Sequence, residues 1–228
     1  KEDSGDLLIP GKVEEFLPML YREGFPRNFN DEVAWLYLMT DDVEMGQLEL
    51  DPEDEANDTR DKNSSDAFNV GEGEEPYKWE REIKSYADNF WERRYGNILA
   101  CNLVIDALPE MEYVEADSGN YNFLAAQAYA LRAYNYWCLV NSYALPWSKE
   151  NLDKPGVIIR MEPQINISPR GRSSIREVYD LINEDIEKAE KYINIATFDG
   201  NIHRLSEPAI LLLASRIALF QENWDEVI

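Results

Sequence analysis

The sequence predicts a mostly helical protein, a helical-repeat scaffold whose helices are separated by long irregular loops. Three observations predict it. From residue 77 onward, apolar residues recur at three- and four-residue spacing in four separate stretches. Helix-start signals precede two of these stretches, at Ser174 and at Ser206. The second stretch is rich in Ala (125, 126, 128, 130 and 133), which lets a neighbouring helix approach closely.

The elements follow in chain order. Val13, Phe16, Leu17, Leu20 and Tyr21 form a short amphipathic stretch that Pro18 shortens or kinks. Val33 to Met39 is an apolar run whose length alone decides neither strand nor helix. Residues 41–75 carry 14 acids and two bases, a local charge of 2 − 14 = −12, among many Gly, Pro, Asn and Ser residues. This composition predicts a long surface loop or a partly disordered insertion.

Trp79, Ile83, Tyr86, Phe90, Ile98, Ile105 and Leu108 then mark one stripe along a long helix, with a potential break at Gly96 and a stop at Pro109. A second helix is expected from about Tyr121 to Tyr143, followed by a connection over 144–172 with Pro146, Pro155, Pro163 and Pro169. The third begins at a capping box, Ser174 to Glu177, with the stripe Ile175, Val178, Ile182, Ile186, Ala189 and Ile193. The fourth begins near Ser206-Glu207-Pro208, with Ser206 as cap. Ala209 to Phe220 is apolar on nearly every side, which predicts a central helix. Residues 1–76 are thus read as an N-terminal segment with an acidic loop. Residues 77–228 form the repeat region of two helix pairs and the start of a third at Trp224, all in one structural domain.

Composition limits the function. The 228 residues hold 22 basic and 45 acidic side chains, a net charge of 22 − 45 = −23. Such a field repels phosphate, which argues against nucleic-acid binding and against docking on anionic lipid. The longest purely apolar run is seven residues, far short of the about 20 that span a bilayer. Helices turning around residues 110–120 would leave Cys101 and Cys138 out of step by roughly 13 Å along the axis. A disulfide needs Cα atoms within about 7 Å, so two buried free thiols are expected. The chain opens at Lys1 without Met and stops as a new helix begins at Trp224, and is read as part of a longer protein.

Catalytic signals are missing from the sequence. There is one His, His203, and no HExxH, no Cys/His cluster, no GxSxG, no P-loop and no GxGxxG, so neither an enzyme nor a cofactor is expected. A weak calcium candidate spans 61–72, where Asp61, Asn63, Ser65 and Glu72 fall at ligand positions of a calcium loop. Asp66 stands where that loop's sharp turn requires Gly, and a solvated acidic loop is the simpler reading. Loop aromatics are the richer signal. Phe68, Tyr77, Trp79 and Trp147 could stack on the apolar faces of sugar rings, with neighbouring polar groups meeting the hydroxyls. The alternative is that each covers the end of a helix. Arg132 and Asn102 sit inside apolar stripes and are read as satisfied structural polar groups.

Four ordered blocks over residues 90–228 resemble one family. Trp91, Tyr95, Ile98, Asn102 and Ile105 are similar to the first long helix of the SusD-like (RagB/SusD) nutrient-binding lipoproteins. Ala126-Gln127-Ala128-Tyr129-Ala130-Leu131-Arg132-Ala133-Tyr134 with Tyr136 resembles their second, followed by Leu139-Val140 and Tyr143-Ala144-Leu145-Pro146. Arg172-Ser173 and Glu177 to Ala189 match the next helix, and Arg204-Leu205-Ser206 through Trp224 complete the order. Departures are Gln127 for Glu, Ala144 for Gly, Trp147 for an aliphatic residue and Val227 for Ala. The resemblance implies a tetratricopeptide-like scaffold in a lipid-anchored protein on the outward face of a Gram-negative outer membrane. It implies capture of oligosaccharide or another nutrient for a SusC-like TonB-dependent transporter, with no catalytic residues. The lipid anchor would lie upstream of Lys1. The competing expectation is a helical-repeat scaffold that binds a protein or peptide and no sugar.

Overall fold

The computed structural model describes residues 17, 20–21, 84–110, 118–164, 168–197, 200–201 and 203–227. The chain divides into two compact units, residues 1–25 with 93–228, and residues 26–92. Only 84–92 of the second unit are described, the opening turns of α1. Among the described residues 67% are helical and no strand is present, so the mostly α expectation holds.

Helix α1 spans Lys84–Ala107 and passes through Gly96 without a break. A Cβ on Gly96 would meet nothing within 4 Å, so neither packing nor backbone geometry calls for a glycine there. The 3-10 turn Leu108–Glu110 closes the helix around Pro109. Helix α2 spans Ser118–Tyr143. Its Ala residues at 125, 126, 128, 130 and 133 are all fully buried, as close helix approach requires. Ala125, Ala126, Ala128 and Ala130 share a core with Leu17, Leu20, Cys101, Val104, Phe123 and Ile210.

Helix α3 spans Ile175–Ile193 behind the predicted capping box. Glu177 N–H donates to Ser174 Oγ at 3.2 Å, and Ser174 N–H donates to Glu177 Oε2 at 2.7 Å. Every residue of the predicted stripe is buried, together with Tyr179 and Asp185. The cap contributes about 1 kcal/mol, whereas each buried Ile or Val contributes about 1.5–3 kcal/mol. Packing against α2 therefore holds α3, and the cap sets where it starts.

Helix α4 spans Glu207–Phe220 and α5 spans Trp224–Val227. Two expectations change here. Ser206 occupies the cap position, but its side chain makes no cap hydrogen bond, so Pro208 in the first turn is the effective start signal. Helix α4 is also not enclosed. Ile210, Ile217 and Ala218 are buried, while Leu211, Leu212, Leu219 and Phe220 are exposed. Apolarity around the whole helix promised a central position, but no described residue covers its outer side. Both cysteines are free, as expected; Cys101 is buried and Cys138 half-buried. Burial pushes the Cys101 thiol up to about 12.

Candidate functional site

The described parts of the connection, 144–164 and 168–172, are tied to the helices around them. Tyr136 Oη on α2 donates to the Arg160 carbonyl and accepts from Arg160 N–H, each at 2.8 Å. Tyr95 Oη on α1 donates to the Ile158 carbonyl at 2.7 Å. Asn102 Nδ2 donates to the Arg160 and Glu162 carbonyls at 2.9 and 3.2 Å. Burial raises the Tyr95 hydroxyl to about 12 and raises Tyr136 as well, so both remain neutral donors through the physiological range.

Asn102 is itself held. Its Oδ1 accepts from Arg132 Nη1 at 2.9 Å, and Arg132 grips Asp185 on α3 through Nε and Nη2 at 2.8 and 2.7 Å. Burial alone would lower Arg132, but the hydrogen-bonded Asp185 carboxylate outweighs it and holds the guanidinium above its ordinary value. Burial raises the Asp185 carboxyl even against the pull of Arg132. The fork-to-carboxylate geometry is that of an ion pair whose charges compensate each other in a dry interior. Arg132 and Asn102 are thus structural polar groups, as read from the sequence. Asp185 is their missing partner.

The near end of the connection is zipped to the start of α3. Gly156 N–H donates to the Ser173 carbonyl at 2.7 Å, and Ser173 N–H to the Val157 carbonyl at 2.9 Å. A Cβ on Gly156 would come within 3.1 to 3.2 Å of the backbone at 173–175, so glycine permits this approach. Arg172 Nη1 donates to the carbonyls of Tyr143 and Gly156 at 2.9 and 3.3 Å. Ala144 continues the last turn of α2, with its N–H on the Val140 carbonyl at 3.1 Å, and has no left-handed backbone. The family's usual glycine is therefore not needed here.

This frame carries Trp147. The indole is half-buried, edge-to-face on the Tyr179 ring with centroids 4.7 Å apart and planes at 66°. One edge of the pair thus closes the start of α3, while part of the indole remains at the surface. Phe68, Tyr77 and Trp79, and the calcium candidates Asp61, Asn63, Ser65 and Glu72, lie outside the described residues. Among the described residues, no three His, Cys, Asp or Glu side chains come together as metal ligands.

A second aromatic group joins α2 to α4. Trp137 on α2 meets Phe220 on α4 edge-to-face at 5.0 Å, with Tyr134 at 6.3 Å and the Arg216 guanidinium over the Trp137 ring at 6.0 Å. The signal lay in the three-residue spacing of Tyr134 and Trp137, a helix-surface neighbour pair. Gln127 was noted only as a departure. Its amide donates to the Leu205 carbonyl at 2.9 Å and accepts from Leu205 N–H at 3.0 Å. Tyr21 Oη donates to the same amide oxygen and accepts from Leu205 N–H at 2.9 Å. A carboxylate would lack the donor for that carbonyl.

With this geometry in view, comparison with known proteins decides the family. Residues 25–219 match the model of the SusD-like family described as starch-binding and associating with the outer membrane. The chain belongs to the SusD-like family. It is 31% identical over 138 residues to SusD-like protein P38 of Formosa agariphila, covering 59% of this chain and 24% of that protein. A SusD superfamily structure from Bacteroides thetaiotaomicron superposes with a TM-score of 0.68 at 15% identity, covering 96% of this chain and 44% of that one. A SusD-like carbohydrate-binding protein from Bacteroides vulgatus gives 0.66 at 21%, covering 95% and 42%. A laminarin-binding SusD-like protein gives 0.67 at 19%, covering 95% and 41%. The chain spans about a quarter of the length of its curated SusD-like relative and less than half of these SusD-like structures.

Proposed function

We propose that the chain is part of a surface glycan-binding protein that captures oligosaccharide at the outer membrane and passes it to a SusC-like TonB-dependent transporter. The observation that carries this reading is the match of residues 25–219 to a family described as starch-binding and associating with the outer membrane. The names of the curated relative and of the laminarin-binding structure support it. In this reading the protein binds sugar without turning it over and reaches the membrane through a lipid anchor. No described helix is long and apolar enough to cross a membrane.

Trp147 supplies the ring that local geometry favours for stacking, because its connection is tethered to α1, α2 and the start of α3. Pre-ordering matters, since immobilising a free loop subtracts from a weak sugar affinity. Affinity electrophoresis of the full-length protein through gels containing laminarin, starch and other polysaccharides tests the proposal. Retardation in at least one gel is expected. Trp147→Ala should weaken it by about 2- to 10-fold, the worth of one aromatic contact. Full mobility in every gel, beside retention of a protein or peptide partner, would replace sugar capture with a scaffold role.

A further inference from the structure

The acidity of the chain is interrupted at the connection. Residues 149–176 hold six bases and three acids, a local charge of 6 − 3 = +3, while the remainder carries 16 − 42 = −26. Each of the three acids has a base at hand. Glu162 pairs with Arg170, Asp153 pairs with Arg176 at 3.2 Å, and Glu150 adjoins Lys149. Within the stretch, the positive excess therefore falls on Lys154, Arg160 and Arg172.

The fold draws two of these three together with Arg170. The limbs 156–162 and 168–174 lie side by side and are laced by their own guanidiniums. Arg160 Nη2 donates to the Ser168 carbonyl at 3.0 Å, Arg170 Nη1 to the Ile159 carbonyl at 3.5 Å, and Arg172 Nη1 to the Tyr143 and Gly156 carbonyls. Burial raises the Tyr95 hydroxyl, and the nearby charges of Arg160 and Arg172 both pull it down, which puts the two guanidiniums around one point of the surface. Arg170 and Arg172 are exposed and Arg160 is half-buried. Trp147 stands four residues beyond Tyr143, whose carbonyl Arg172 holds. Lacing alone does not call for charge, because an amide side chain would donate to the same carbonyls. An arginine anchored in this way has already lost rotamer freedom, so a ligand oxyanion need not supply that ordering.

We propose that the surface formed by Trp147, Arg172, Arg160 and Arg170 binds an anionic polysaccharide, one whose sugars carry carboxylate or sulfate groups. The indole meets a sugar ring and the guanidiniums meet the oxyanions, which accept paired N–H donors. This rests on the glycan-capture reading and names its substrate class. An uncharged glucan would gain nothing from the cations.

Isothermal titration of the full-length protein at about 0.15 M salt tests this with three probes of similar length. Oligogalacturonate carries carboxylate, carrageenan oligosaccharides carry sulfate, and laminarin oligosaccharides are uncharged. One charged probe is expected to bind at least about 10-fold tighter than laminarin, and which one does so identifies the oxyanion. Arg170→Gln, at an exposed position, should weaken that probe by about 10-fold and leave laminarin binding unmoved. Arg172→Lys keeps the charge but loses the fork and should weaken the same probe by about 3-fold. Thermal midpoints show that each variant keeps its fold. Lys191→Gln removes one charge near the far end of α3 and should move none of the three. Loss at Lys191→Gln equal to that at Arg170→Gln would reveal a response to net charge and overturn the site. Polyglutamate competing as well as the charged sugar would assign the surface to an acidic protein segment instead. Laminarin binding as tightly as both charged probes, or no heat from either charged probe, would overturn the anionic class. Retardation in the polysaccharide gels decides glycan capture separately, so the two failures are told apart.

Discussion

Among the described residues Asp185 and Arg132 form the most consequential ion pair, because neither charge has water to fall back on. Both side chains are buried and joined by two hydrogen bonds of 2.8 and 2.7 Å. Asp185→Ala strands a guanidinium and should cost about 3–5 kcal/mol in urea unfolding. Replacing both, as Arg132→Met with Asp185→Leu, should cost less than Asp185→Ala alone. A double variant at least as unstable as the single one would show that Arg132 acts mainly through Asn102. Tyr179 gives a pH signature. Burial raises its hydroxyl from 10.0 to about 12, and the neutral hydroxyl donates to Asn141 Oδ1 at 3.2 Å. Above about pH 10 the unfolded chain releases this proton and the folded chain keeps it. The stabilisation is therefore complete below pH 10 and lost as pH rises toward 12, by up to about 1.4 kcal/mol per pH unit. Urea midpoints should fall from pH 9 to 11, and Tyr179→Phe should make the decline shallower, the remainder coming from the raised Cys101, Tyr95 and Tyr136.

Two helix positions carry residues the backbone does not favour. Gly96 lies in the interior of α1 with open space where a Cβ would project, so Gly96→Ala should stabilise by about 0.5–1 kcal/mol. Between α4 and α5, Glu222 has φ 57°, and among the described residues it is the non-glycine residue with positive φ. Its N–H donates to the Leu219 carbonyl at 3.1 Å, and Asn223 N–H donates to the Ala218 carbonyl at 3.0 Å. That pairing is a Schellman stop, whose left-handed position normally holds Gly. Glu222→Gly should raise the thermal midpoint, with a gain of about 0.5–1 kcal/mol after the extra chain entropy of glycine is subtracted. A loss at either position would mean that the native side chain or backbone has a role in packing. At this scale much was legible in the sequence. The stripe of α3, its capping box and the Ala-lined side of α2 all follow from local spacing. The uninterrupted passage of α1 through Gly96 did not, because packing on both sides of one glycine overrides its weak local preference.

The net charge of −23 belongs to the whole molecule, and self-repulsion at that charge opposes the compact state. Screening shortens from about 30 Å at 0.01 M salt to about 8 Å at 0.15 M. The thermal midpoint should therefore rise across that range in calorimetry. A fall would show that exposed pairs such as Lys188–Glu184, at 2.6 Å, outweigh the long-range field. The described part of the candidate site also depends on this scale. The sequence could place Trp147 in a Pro-rich connection, but not show that Tyr95, Asn102 and Tyr136 tether that connection from two different helices.

By itself the sequence determined the helical class, the order of the helices, the start of α3, the free thiols and the SusD-like family. These properties depend on residues close together in the chain or on ordered local blocks. Tertiary structure alone decided that Asp185 answers Arg132, that Gln127 holds Leu205, that Trp147 leans on Tyr179, and that one side of α4 stays open. Each of those joins residues between 32 and 78 positions apart, or depends on what fails to pack, and local spacing encodes neither.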